Sequence, residues 1–104
     1  MSKVFLPIQS IRIDSSTTSK RVALPANSTN IRIYNNTTSM AWIVFGNSSV
    51  TAAIPAADTA SVGFPVAPNS VENFTETVDG SATHIAVVLQ IGTGFVNVTC
   101  GEGW

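Results

Sequence analysis

Apolar residues in this chain come in runs too short for helices, and the interruptions are too regular for anything but a sheet. Stretches rich in Val, Ile, Thr and aromatic residues are broken by Asn, Ser, Gly and Pro, the pattern of strands and turns. This predicts strands over residues 5–13, 20–24, 30–35, 40–46, 71–77, 83–91 and 95–100, with a further short one around 60–64. Turn chemistry fills 14–19, 35–39, 47–49, 78–81 and 92–94. No window repeats apolar residues at i, i+3, i+4 and i+7 for long enough to make a helix. About eight strands in 104 residues define an all-β chain, a single β-sandwich over 1–104 wired as a jelly roll or, alternatively, in immunoglobulin-like order. Residues 1–13 are either an edge strand or an N-terminal arm, which could add to a neighbour's sheet edge.

Two segments read as hairpins. Ile31 to Tyr34 turns through 35–39 into 40–46, and Ile85 to Ile91 turns through Gly92-Thr93-Gly94 into 95–100. Ile31 and Ile33 alternate with Arg32 and Tyr34, as in a strand with one wet face. Residues 40–45 do not alternate: Met40, Trp42 and Val44 share one face, Ile43 and Phe45 the other. Ile85, Val87 and Leu89 are likewise opposed by Ala86 and Val88. In a two-layer sandwich one face of each sheet meets water. A strand apolar on both faces therefore needs a second cover, either the long apolar connection over 50–70 or a neighbouring subunit.

Composition sharpens that demand. Hydrophobic residues make up 44% of the chain and charged residues 11%, against roughly a quarter charged in ordinary soluble domains. Ser, Thr and Asn fill the polar positions, which suits a surface packed against other subunits. The length supports one core without staples, and the single Cys100 cannot close an intrachain disulfide. Residues Met1 to Leu6 begin like a signal peptide, but Pro7, Gln9, Ser10 and Arg12 cut the apolar stretch short. No run approaches the ~20 residues of a membrane span, so the expectation is a protein folded in the cytoplasm, without secretion and with no membrane partner. Net charge is −1, and Lys3, Arg12, Lys20, Arg21 and Arg32 form no cluster beyond a pair, so nucleic acid is not an expected partner.

Catalytic chemistry finds little material. Glu72 and Glu76 on one strand face would stand roughly 13 Å apart, beyond the ~5–9.5 Å of glycosidase carboxylate pairs. His84 has no nucleophile pattern and no second imidazole beside it, which leaves a hydrogen-bonded strand histidine. Cys100 continues the alternation of Val96 and Val98 and is expected to be a small buried group. Gly92-Thr93-Gly94 joins strand to strand, the wrong setting for a phosphate loop. The chain is thus read as no enzyme, with no catalytic, cofactor or metal residues. Asn27, Asn36, Asn47, Asn73 and Asn97 each head an Asn-x-Ser/Thr triplet, and turns account for Asn27, Asn36 and Asn47. The residues expected to reach outward are apolar anchors: Phe5, Leu6 and Ile8 near the N-terminus, Trp42 and Val44 in the doubly apolar strand, and Trp104 on its Gly101-Glu102-Gly103 tether. Trp104 docks on its own sheet or on a partner.

Several stretches resemble small virion proteins of tailed bacteriophages. They are Ile31-Arg32-Ile33-Tyr34-Asn35-Asn36, Ala41-Trp42-Ile43-Val44-Phe45-Gly46, Pro68-Asn69-Ser70-Val71-Glu72-Asn73-Phe74, Thr83-His84-Ile85-Ala86, and Gly94 through Gly103. The likeness covers about two thirds of the chain, from Ile31 onward. It is similar above all to the decoration, cement or staple proteins that bridge major capsid subunits. The resemblance implies a place on the capsid surface, the major capsid protein as partner, a homo-oligomer (dimer or trimer), and no catalytic residues to carry over. A second reading from the residues is a carbohydrate-binding or host-attachment module of a tail or fibre, with Trp42 or Tyr34 stacking on a sugar; Asp58, Asp79, Asn47 and Asn69 are available as polar partners but lie far apart in sequence.

Overall fold

The computed structural model describes residues 6–24, 30–58, 63–74 and 83–102, with side chains for residues 9–101 of these. Among the described residues eight strands follow one another: β1 (Leu6–Ser15), β2 (Lys20–Ala23), β3 (Asn30–Asn36), β4 (Ala41–Gly46), β5 (Phe64–Val66), β6 (Ser70–Phe74), β7 (His84–Leu89) and β8 (Gly94–Glu102). They agree with the spacing of the apolar runs. Of the expected short strand around 60–64, residues 60–62 lie outside the described residues, and Phe64 begins β5. Residues 75–77 of the expected 71–77 strand lie outside the described residues.

The strands form two four-stranded antiparallel sheets, ordered β1-β8-β3-β6 and β2-β7-β4-β5. Pairing joins first to last, second to seventh, third to sixth and fourth to fifth. That is one long antiparallel ribbon rolled upon itself, and the contacts β3·β8 and β4·β7 seal the roll. This is the jelly roll, and it excludes immunoglobulin-like wiring, in which neighbouring strands pair by hairpins.

The two expected hairpins are therefore corrected. β3 and β4 lie in opposite sheets, as do β7 and β8. Their connections are corners that carry the chain across the end of the sandwich. Buried Asn35 makes the first corner possible. Its Nδ2 donates to the Ser39 carbonyl at 2.8 Å and the Val66 carbonyl at 2.9 Å. Its Oδ1 accepts the Thr37 backbone N–H at 3.1 Å and the Thr37 hydroxyl at 2.6 Å. Asn35, one residue before the expected turn asparagine Asn36, thus satisfies backbone groups that a sheet ladder would otherwise occupy. The second corner is bound to the first: Gln90 N–H donates to the Met40 carbonyl at 3.0 Å, and Ile91 N–H to Ser39 Oγ at 3.0 Å. Gly92 turns it with a φ of 74°, a conformation costly for residues with a Cβ.

Between the sheets, Ile13, Ile31, Ile33, Val96, Val98 and Cys100 meet Leu24, Ala41, Ile43, Val66, Ile85, Val87 and Leu89. Cys100 is fully buried, as its alternation implied. Phe74 closes one side of this core, edge-on to Phe45 at 5.4 Å and to Phe64 at 4.9 Å between ring centroids. Pro65 sits in β5, an edge strand, where its missing N–H breaks no central ladder.

Candidate functional site: one sheet face covered, one open

The outer faces of the two sheets differ. On the β2-β7-β4-β5 sheet, Val44, Ala86 and Val88 point away from the main core and form a second cluster with Ala52, against which Trp42 and Val50 pack. The segment 50–53 lies over this face and is held there by name: Arg21 Nη1 donates to the Val50 carbonyl at 3.3 Å, and the Ala52 N–H donates to Ser19 Oγ at 2.9 Å. Gly46 permits the close return, since a Cβ there would stand 2.9 Å from a methyl of Val50. Of the two covers open to the doubly apolar strands, the chain's own connection supplies one.

Val44, expected at an interface, is 9% exposed beneath Ala52 of the same chain. Trp42 is half-buried, its Nε1 donating to Gln90 Oε1 at 3.4 Å, and Gly63 lies against its ring. Phe5 and Trp104 lie outside the described residues. Leu6 and Ile8 fall in β1, the outermost strand of its sheet, consistent with the edge-strand reading of the segment.

Among the described residues no segment packs over the outer face of the β1-β8-β3-β6 sheet, and each of its strands carries exposed residues there. Register places its side chains in three rows across the strands: Ser10, Thr99, Arg32, Asn73; then Arg12, Asn97, Tyr34, Val71; then Asp14, Phe95, Asn36. With strands ~4.8 Å apart and rows ~6.7 Å apart, the grid measures roughly 14 by 13 Å. Tyr34 is 38% exposed, Phe95 37% and Val71 54%. Val71 stands directly beside Tyr34, and Phe95 is its diagonal neighbour. The Arg12 guanidinium sits 3.8 Å above the Phe95 ring, a cation–π contact that holds both side chains flat. Ser10 Oγ and Thr99 Oγ1 are 2.9 Å apart and hydrogen-bonded. The face offers amides, hydroxyls, two aromatic rings and two guanidiniums against one carboxylate.

Sequence reasoning noticed Tyr34 but passed over Val71 and Phe95. The signal was present: Val96, Val98 and Cys100 claim the inner face of β8, which forces Phe95 out among Asn97 and Thr99.

Elsewhere the chemistry is sparse. His84 Nδ1 lies 2.7 Å from Thr83 Oγ1 at the start of β7, the hydrogen-bonded strand histidine the sequence implied. Glu72 sits in β6, and Glu76 is outside the described residues. Asn47 Oδ1 accepts the Ser49 N–H at 2.8 Å, forming the expected Asx turn. Among the described residues no three His, Cys, Asp or Glu side chains group closely enough to hold a metal ion. No described helix is long and apolar enough to cross a membrane. A shallow depression of about 270 Å³ at the corner end, lined by Thr38, Ser39, Met40, Pro68, Gln90 and Ile91, contains no ionisable group. Comparison with protein-family models, with curated proteins and with solved structures gave no match.

Proposed function

We propose that this chain is a bacteriophage virion structural protein, a capsid decoration protein that lays the open face of its β1-β8-β3-β6 sheet across the seam between major capsid subunits. The observation that carries this reading is the asymmetry of the two sheets. One outer face is covered at Val44, Ala86 and Val88 by the chain's own 50–53 segment, while the other leaves Tyr34, Val71 and Phe95 part-exposed among polar groups, with the Arg12 guanidinium over the Phe95 ring. Such a face gains from burial at roughly 25 cal/mol per Å² of apolar area, and its hydroxyls and amides can be satisfied by a partner's backbone. The stretches that resemble phage virion proteins coincide with β3, β4, β6, the start of β7 and β8. Repetition over a shell would make weak contacts strong through effective concentration. The protein mixed with purified shells that lack it, then pelleted, tests this. Saturable co-sedimentation at a fixed ratio to the major capsid subunit is expected, and loss of binding in Tyr34→Ser with Val71→Ser should follow. Absence of saturable binding contradicts the proposal.

A second reading, a sugar-binding module of a tail or fibre, is favoured by one arrangement: Tyr34 and Phe95 flank a diagonal with Asn97 and Asn36 beside them. Aromatic faces stack on sugar rings, and amides bond their hydroxyls. Tyr34, rather than half-buried Trp42, is then the stacking residue. A glycan array decides: specific binding lost in Tyr34→Ala supports attachment, and a blank array supports the capsid.

A further inference from the structure

The two sheets present four edge strands, β1 and β6 in one and β2 and β5 in the other. They differ in what they can accept. β5 is three residues long with Pro65 at its centre, which has no N–H to offer. β6 carries Glu72 at its midpoint, so an antiparallel copy centred there would set two carboxylates side by side. β2 bears adjacent Lys20 and Arg21 with no acid in the strand. β1 is the longest, and beyond its bulge between Pro7 and Gln9 it runs from Gln9 to Ser15 without proline or glycine. Among the described residues no strand pairs with its outer edge.

Along this run, exposed Ser10, Arg12 and Asp14 alternate with half-buried Ile11 and buried Ile13 and Ser15. The order is self-complementary under a two-fold rotation. With Ile13 on the axis, Arg12 falls opposite Asp14 of the second copy, Asp14 opposite its Arg12, and Ser10 opposite its Ser16. The neighbouring registers that keep the same faces together fail: an axis at residue 12 opposes Arg12 to Arg12, and an axis at residue 14 opposes Asp14 to Asp14. Registers offset by a single residue turn inner side chains against outer ones. One antiparallel alignment therefore satisfies both charge and face. A parallel, in-register pairing sets like against like.

We propose that the outer edge of β1 pairs antiparallel with β1 of a second copy, with Ile13 on the two-fold axis and two symmetric Arg12–Asp14 pairs fixing the register. The two open sheets then join into one continuous eight-stranded face. Arg12 keeps its contact with Phe95, because a guanidinium has N–H donors at its rim as well as a flat face to lay on the ring. The inference is independent of what that face binds.

Sedimentation equilibrium of the full chain across a concentration series tests it. The wild type is expected to reach twice 10.9 kDa. Arg12→Asp and Asp14→Arg, each of which opposes like charges across the axis, should each weaken association at least tenfold while far-UV circular dichroism stays that of the wild type. The double variant Arg12→Asp with Asp14→Arg restores opposite charges in reversed order, and should recover association to within about threefold. A wild type that stays monomeric at millimolar concentration overturns the proposal. So does a dimer that both single variants leave within twofold, or a double variant as weak as the singles.

Discussion

Asn35 ties the corner between β3 and β4, and its replacement by alanine tests whether that corner depends on the amide. All four of its side-chain hydrogen bonds go to groups at the corner or on β5. In Asn35→Ala the Thr37 hydroxyl, released from Asn35 Oδ1, can turn its proton to the Ser39 carbonyl 2.9 Å away. The Val66 carbonyl and the Thr37 N–H lose the partner the amide supplies, and both residues are buried. An orphaned buried polar group costs about 1–3 kcal/mol, so the two together cost about 4 kcal/mol. That is a large share of the ~5–15 kcal/mol by which domains are stable. At roughly 4–8 °C per kcal/mol for a chain of this size, Tm should fall by roughly 15–30 °C. Asn36→Ala, on the exposed neighbour, is the control and should stay within about 0.5 kcal/mol of wild type. Asn35→Asp keeps the acceptor, loses both donor bonds and adds charge at a buried site, so at neutral pH it should do no better than alanine. Urea unfolding followed by far-UV circular dichroism gives the differences directly, provided the m-value is unchanged. If Asn35→Ala lies within about 1 kcal/mol of Asn36→Ala, the corner is held by strand packing and the amide argument is wrong.

Other consequences concern the two faces. Val44→Ala removes two methyl groups from the covered cluster at ~0.8 kcal/mol each plus a cavity term, so a stability loss of about 2 kcal/mol with unaltered shell binding is expected. Gly46→Ala places a Cβ against Val50 and should lift the 50–53 segment, seen as faster amide exchange at Ala52, whose N–H now donates to Ser19. Shell binding should change by less than roughly threefold between low and moderate salt, because among the described residues the open face carries only Arg12, Arg32 and Asp14 as charges to be screened.

Much of the fold was legible in the sequence, and the limits were physical. Alternation in Ile31-Arg32-Ile33-Tyr34 and in Val96-Asn97-Val98 reports which side of a strand is dry, and those strands lie where expected. Wiring was not legible. The polar residues of 35–39 and the glycines of 92–94 reverse a chain equally well within one sheet or between two. The difference lies in a long-range bond, Asn35 to the Val66 carbonyl, that local spacing does not encode. The doubly apolar character of 40–45 correctly demanded a second cover. It could not say that Ala52 would provide it, because that depends on Ser19 and Arg21 meeting the 50–53 backbone. The open face was hidden for the opposite reason. Tyr34, Val71 and Phe95 sit on three strands far apart in sequence, and only sheet register brings them together.

Hydroxyl-radical footprinting of the protein alone and on shells reads both outer faces in one experiment, since Tyr34 and Phe95 mark the exposed sheet and Trp42 the sealed one. Attachment should slow oxidation of Tyr34 and Phe95 several-fold and leave Trp42 at its rate in the unattached protein. Protection at Trp42 with Tyr34 and Phe95 unaffected would mean that the working surface is the other sheet.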